Sequence, residues 1–317
     1  MNKLTASVTG TSTPITISVS DSHSAATATA MVTAISTNLM VGSSISISLG
    51  YNGNNTQVFE GYVKSVELAA PPKLYTIIAS NEMIRAIDYF IVSSNPDEPY
   101  TWDNISAENL VGEIFSLAGI SNYNGDNSGF TFGINNPVEV NLVGAYDFSK
   151  MIADLLAWSI YAGPGGVCYF TDRKPYPMGG EGSSATLTKA NILNLKYSVS
   201  DRDLRNRVVV YGYEGIFAEA KQSSPFLPSG FYKSVAIVSE LLQTQAYADY
   251  TAAYNLAKLN RLTYNCNIST PGDPGISCRD CVDVVHDAPG LTDTWYVFGI
   301  EHSWGQPGFT SNLQLRK

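Results

Sequence analysis

A chain of 317 residues with 44% hydrophobic and 15% charged side chains is long enough for two or three domains and too apolar to stay unfolded. Its 28 acidic and 19 basic residues leave a net charge of −9, with no basic run beyond two residues. That balance argues against sequence-independent nucleic-acid binding and against a polybasic membrane anchor.

The N-terminal MNKLTASVTG lacks the apolar core of a signal peptide, and no window approaches the ~18 apolar residues of a membrane span. The four cysteines, Cys168, Cys266, Cys278 and Cys281, are too unevenly spaced for a disulfide framework, which places synthesis in a reducing cytoplasm. A chain this poor in charge must surface itself with Ser, Thr, Asn and Gly or bury area against other subunits. Its 19 tyrosines and 12 phenylalanines favour the second, since aromatics are enriched in interface cores.

Residues 4–66 alternate with period two, which marks strands with one buried and one solvated face. Leu4, Ala6 and Val8 oppose Thr5, Ser7 and Thr9; Ile45, Ile47 and Leu49 oppose Ser44, Ser46 and Ser48. The alanine and threonine mixture at 26–35 is assigned to a strand, and 50–55 to a turn. Six short antiparallel strands within about 80 residues suggest a small barrel or sandwich.

From about residue 81 the period changes. Ser106 is expected to cap a helix with Leu110, Val111, Ile114 and Phe115 on one stripe, and Gly119 stops it. Asp147 is expected to cap a second, with Met151, Ile152, Leu155 and Trp158 apolar. Gly163-Pro164-Gly165-Gly166 breaks that helix and feeds a strand at 167–171. The stretch 202–212, RDLRNRVVVYG, reads as charged residues leading into a short strand with a stop at Gly212. A third helix is expected over 239–260, with Leu242, Ala246, Tyr250, Ala253 and Ala257 inward and Asn255 outward. The remainder returns to strands.

Few constellations carry chemistry. Cys278 and Cys281, with Cys266 and His286 near in sequence, would supply four ligands to zinc, but the 266–278 gap lacks paired-knuckle spacing, and ordinary thiols are the favoured reading. His286-Asp287 and His302-Ser303 are neighbours on strands, so their side chains point apart and form no catalytic pair. Arginines interleaved with Asp201 and Asp203 would hold both carboxyls ionised, which disfavours a general acid and favours salt bridges. The glycine clusters at 163–166 and 179–182 are turns, because neither leads into a helix. No catalytic set and no cofactor site emerges. The loop from Pro225 to Tyr232, carrying Phe226, Leu227, Phe231 and Tyr232, is the expected docking surface, the alternative being a loop folded back on its own barrel.

In order, Phe59-Glu60-Gly61-Tyr62-Val63, the 147–158 helix with Gly165 to Phe170, Asn206-Arg207-Val208-Val209-Val210-Tyr211-Gly212, and Trp295-Tyr296-Val297 with the closing strand at 310–315 resemble the baseplate hub proteins of contractile phage tails, the late control protein D-like family. The cysteines flanking Arg279-Asp280 depart from that family's simple Gly-Asp turn. The resemblance implies a mainly β fold with an α+β insertion: two small β-barrel domains, an inserted α/β domain and one long helix. The expected limits are 1–84, 85–185 and 186–317, with the helical insertion around 239–260.

It also implies a non-enzymatic structural role, a homotrimeric ring joining a sixfold tail tube to a threefold central spike and letting DNA pass. An acidic chain suits such a channel, since like charge repels instead of gripping. Implied partners are the tail tube and central spike proteins, with tape measure and baseplate wedge proteins beyond them, and no specific nucleic-acid binding or stable membrane insertion. The implied location is the virion baseplate, assembled in the bacterial host cytoplasm. Alternatives are a cell-wall-directed hydrolase or carbohydrate-binding β-protein of the tail tip, and a distal component of a non-contractile tail.

Overall fold

The computed structural model describes residues 3–95 and 97–317. In chain order, the first six strands are β1 (Leu4–Val8), β2 (Thr11–Ser22), β3 (Thr29–Thr37), β4 (Ser44–Tyr51), β5 (Asn54–Ala69) and β6 (Leu74–Asn81). Helix α1 (Ile84–Asp88) opens a region of short ribbons: β7 (Phe90–Ile91), β8 (Tyr100–Trp102), β9 (Ile105–Ser106), then α2 (Ala107–Leu117), β10 (Tyr123–Gly125), β11 (Thr131–Phe132), β12 (Val138–Val140) and β13 (Val143–Gly144). Then come α3 (Ala145–Leu155), β14 (Ser159–Ala162), β15 (Cys168–Thr171), β16 (Ser183–Thr188) and β17 (Asn194–Ser200). The chain continues through β18 (Arg207–Tyr211), β19 (Phe217–Lys221), β20 (Ser234–Val238) and α4 (Gln245–Leu259). It closes with β21 (Thr263–Pro271), β22 (Cys281–Val285), β23 (Asp293–Gly305) and β24 (Gly308–Arg316).

Period-two alternation buries one face of the first six strands. Ile45, Ile47, Leu49, Phe59, Val63 and Ile77 fill that core, and in β4 the interleaved Ser44, Ser46 and Ser48 lie on the other face. At Gly61 a Cβ would meet the Ser80 carbonyl oxygen at 2.1 Å, so glycine lets β5 and β6 close up. A second core gathers Ile268, Val282, Trp295, Val297, Leu313 and Leu315 from the last strands.

In place of the two separate small barrels expected, the structure has two β-rich halves joined in one open sheet. The order is β1-β4-β5-β6-β3-β2-β23-β24-β21-β17, with β22 on β23 and β16 on β22, twelve strands in all. Strands β2 and β23 pair antiparallel from Thr16 opposite Gly305 to Ser22 opposite Gly299, which fuses the halves. Among the described residues the ladder does not close: β1 and β17 end the path.

The third core runs through the α/β region from Met83 to Phe170 and takes in Val208, Val210, Ala218, Leu242, Ala248, Ala252 and Leu256 from much later in the chain. The strand at 207–211 and the long helix therefore pack on the α/β region. Helix α4 starts at Gln245, not near 239, because Thr244 caps it by accepting from the Tyr247 N–H at 3.3 Å. Its buried face is Ala248, Thr251, Ala252, Asn255 and Leu256, a rotation from the expected one that leaves Tyr250 and Ala253 exposed. Helix α3 likewise begins at Ala145, which puts Asp147 inside the first turn instead of at the cap.

Candidate functional site

The two β halves and the α/β region are joined at one buried arginine. Arg279 is 7% exposed and sits at φ +78°, a left-handed conformation that a side-chain-bearing residue adopts only when its surroundings enforce it. Its guanidinium donates to the Asp21 carboxylate at 2.8 Å and to the Ser22 carbonyl at 3.2 Å, both at the end of β2. It lies 4.1 Å above the Tyr161 ring of β14. Its own N–H donates to the Val297 carbonyl at 2.7 Å, and its carbonyl accepts from Arg173 Nε at 3.0 Å and from a second guanidinium nitrogen at 2.8 Å. Arg173 in turn pairs with Glu181 and covers the Tyr296 ring at 4.5 Å. Tyr296 shares a 2.7 Å hydrogen bond with His23 Nδ1. One residue, through its side chain and its backbone, thus ties together the first β half, the α/β region and the second β half.

Burial decides the protonation states. It lowers His23 to about 3, with the Arg279 charge adding to the effect, and lowers His302 to about 4. His302 Nε2 lies 3.2 Å from the Ile276 carbonyl, which can only accept, so Nδ1 accepts from the Ser311 hydroxyl at 2.9 Å. Ser311 also accepts from the Asp273 N–H, which ties the 273–276 turn to β23 and β24. Burial pushes the thiols up, to about 12 for Cys168 and Cys278 and about 11 for Cys266. Imidazoles lowered this far are weak bases, and the thiols of Cys168, Cys266 and Cys278 stay protonated at neutral pH. The cluster is a clamp in its chemistry.

The four residues weighed for zinc do not converge. Cys266 is buried in β21, and the Cys278 thiol donates to the Phe298 carbonyl at 3.4 Å. Cys281 donates to Glu181 at 3.0 Å, and His286 Nδ1 accepts from the Ala288 N–H at 3.1 Å. No group of three or more His, Cys, Asp or Glu among the described residues is placed to hold a metal ion. Asp201 pairs with Lys233 at 2.6 Å instead of with a neighbouring arginine, and that lysine holds its carboxyl below the usual range. Arg207 reaches across to Glu219 at 2.7 Å.

Phe226, Phe231 and Tyr232 are 49%, 52% and 44% exposed, with Leu227 half-buried beside them. They lie in the connection between β19 and β20, which flank β18 in a three-stranded sheet. That sheet turns Val208, Val210 and Ala218 inward, and at its far end Tyr211, Phe217 and Val238 stand side by side and exposed. Sequence reading missed those three, although alternation from buried Val208 and Val210 puts Tyr211 on the outer face. The clamp was missed as well, because nothing local connects Arg279 to Asp21, 258 residues away.

No family model matches this chain, and no curated protein does. Solved structures are similar along its whole length. The 43 kDa tail protein of prophage MuSo2 from Shewanella oneidensis aligns at TM-score 0.69 and 13% identity, covering 99% of this chain and 98% of that one. A tail protein from Neisseria meningitidis MC58 aligns at 0.71 and 11%, covering 100% and 96%. The Escherichia coli c3393 protein, a type VI secretion component described as similar to the T4 bacteriophage tail proteins gp27 and gp5, aligns at 0.61 and 9%, covering 98% and 76%. Identities this low show a shared fold.

Proposed function

We propose that the chain is a non-catalytic structural component of a phage tail baseplate: a hub subunit that forms a homotrimeric ring between a sixfold tail tube and a threefold central spike, with a passage for DNA. The observation that carries this reading is the chain-long likeness in fold to tail proteins of nearly its own extent. Two β-rich halves in each of three subunits give six comparable units, the number needed to meet a sixfold tube. In this reading residues 1–84 and 186–317 are the two tube-like units and 85–185 is the inserted one, with the 207–259 excursion seated on the insertion. The tape measure and wedge proteins are further partners, and the contractile form of the tail and the host cytoplasm as assembly site belong to the same proposal.

The outward row Ser20, Glu301, Asn312, Ser269 and Asn194 crosses five neighbouring strands with a single charge, and we assign that face to the passage. Small uncharged groups offer a polyanion nothing to grip. Light scattering of the purified chain tests the reading, followed by electron microscopy after mixing with candidate tube and spike proteins. A trimeric mass and rings that stack on tube protein are expected. A monomer that ignores both partners overturns the proposal.

A further inference from the structure

We propose that a cationic cleft at the C-terminal end of α4 receives the acidic β8–β12 ribbon of a second copy of this chain, which joins protomers head to tail. The proposal rests on the self-assembly reading above and assigns it a specific contact. The cleft encloses about 200 Å³, and Lys258, Arg261, Arg316 and Lys317 line it against one carboxylate, Asp203. Lys317 is paired with Asp293. Among the described residues the other three cations have no ion-pair partner: Arg261 lies 3.6 Å above the Tyr176 ring, Arg316 lies 3.4 Å above Phe298, and Lys258 bonds to nothing. A guanidinium stacked on a ring is pre-oriented and keeps its N–H edge free for a carboxylate fork. Burial brings Lys258 down to about 8, so an arriving anion would hold it fully charged.

The complementary surface lies on the same chain. Residues 89–149 contain eight acidic residues and no lysine or arginine, leaving 20 acidic against 19 basic residues elsewhere. Around the ribbon, Glu139 stands opposite Thr101, Asp97 and Glu98 precede β8, and Asp103 follows it, all four exposed. None of the four has an ion-pair partner among the described residues. Tyr100 and Trp102 stack on that ribbon with centroids 6.0 Å apart and remain half-exposed, the aromatic content that an interface core uses. A cleft on one protomer meeting a ribbon on the next is a heterologous contact, the kind that closes rings by rotation.

Charge reversal tests it by sedimentation velocity on the full chain. Lys258→Glu with Arg261→Glu, or Asp103→Lys with Glu139→Lys, should each weaken self-association at least about tenfold, and combining all four should recover most of the loss. Circular dichroism melts confirm folding, and recovery in the combined variant does so independently. Association indifferent to either pair, or a combined variant no better than its parents, overturns this contact while leaving self-assembly standing. A wild-type chain that stays monomeric at every concentration overturns the self-assembly reading itself. If a 20-base-pair duplex binds the wild type, Lys258→Glu abolishes that binding and the acidic reversal leaves association untouched, the cleft is a polyanion site and the proposal fails.

Discussion

The two β-rich halves share one sheet but keep their cores differently. The first is mostly apolar, with Ile45, Ile47, Leu49 and Phe59 at 1% exposure or less, and its buried polar residues, Ser80 and Asn81, lie at the end of β6. The second admits Arg279, His302 and Ser311 to its interior, each bonded to a partner from another segment, although the Arg279 Nε is left without one. A purely apolar core holds by area removed from water and tolerates imprecision. A core with polar groups holds only while every partner stays in place, so it couples regions distant in sequence. The first half therefore holds mainly by apolar area, Phe309 of β24 included, and the second is the half whose polar bonds fix the other units relative to one another.

The largest expected effect breaks that coupling. Asp21→Ala removes the carboxylate from a buried guanidinium and should cost about 3–5 kcal/mol, measured by urea unfolding. In the first half Ile47→Ala should cost about 2–5 kcal/mol by leaving a cavity. The second-site response separates the two. Adding Arg279→Met to Asp21→Ala removes the stranded charge and should restore much of the stability, because an apolar replacement of a buried pair is often neutral. If the double variant is as unstable as the single one, the clamp is not electrostatic.

Acid should act on the same contrast. His302 stays neutral in the folded chain down to about pH 4 and His23 down to about 3, whereas both ionise near 6.5 once unfolded. The unfolded chain therefore binds more protons in that window, and stability falls as pH drops through it, approaching about 1.4 kcal/mol per unit for each histidine. Burial raises the Asp280 carboxyl, which opposes the trend at the acid end. Denaturant midpoints from pH 7 to 4.5 check this, and His302→Gln should roughly halve the slope whatever it does at pH 8. An unchanged slope would mean that His302 already titrates when folded.

Period two made the early strands legible from sequence, most plainly in β4, where Ile45, Ile47 and Leu49 alternate with Ser44, Ser46 and Ser48. Helix α4 shows where that legibility ends. Gln245–Leu259 holds only two aliphatic leucines, and alanine fits on either side of a helix, so spacing left its rotation undetermined. What sets the rotation is Asn255, whose amide donates to the Asp154 and Leu155 carbonyls at 3.3 Å and satisfies the end of α3. Asn255→Ala should cost about 1–3 kcal/mol, visible as a lowered melting temperature. The clamp was illegible for a different reason. A buried arginine between two cysteines looks like a turn until β2 and β23 are paired, and only that register brings Asp21 within reach.

The smallest expected effect on stability carries the most about function. Phe226 and Phe231 are half exposed and belong to none of the three cores, so Phe226→Ser with Phe231→Ser should move the folding free energy by no more than about 0.5 kcal/mol. The same substitutions remove two aromatic anchors from the loop, and aromatic anchors dominate the energy of the interfaces they enter. Light scattering and melting curves on one preparation separate the outcomes. An unchanged melt with lost assembly makes the loop a docking surface. An unchanged melt with unchanged assembly removes it from the interface and leaves the outer face of the β18–β20 sheet, with Tyr211, Phe217 and Val238, as the apolar surface to test next. A lowered melt would mean that the loop stabilises its own sheet through Leu227, which is already half-buried there.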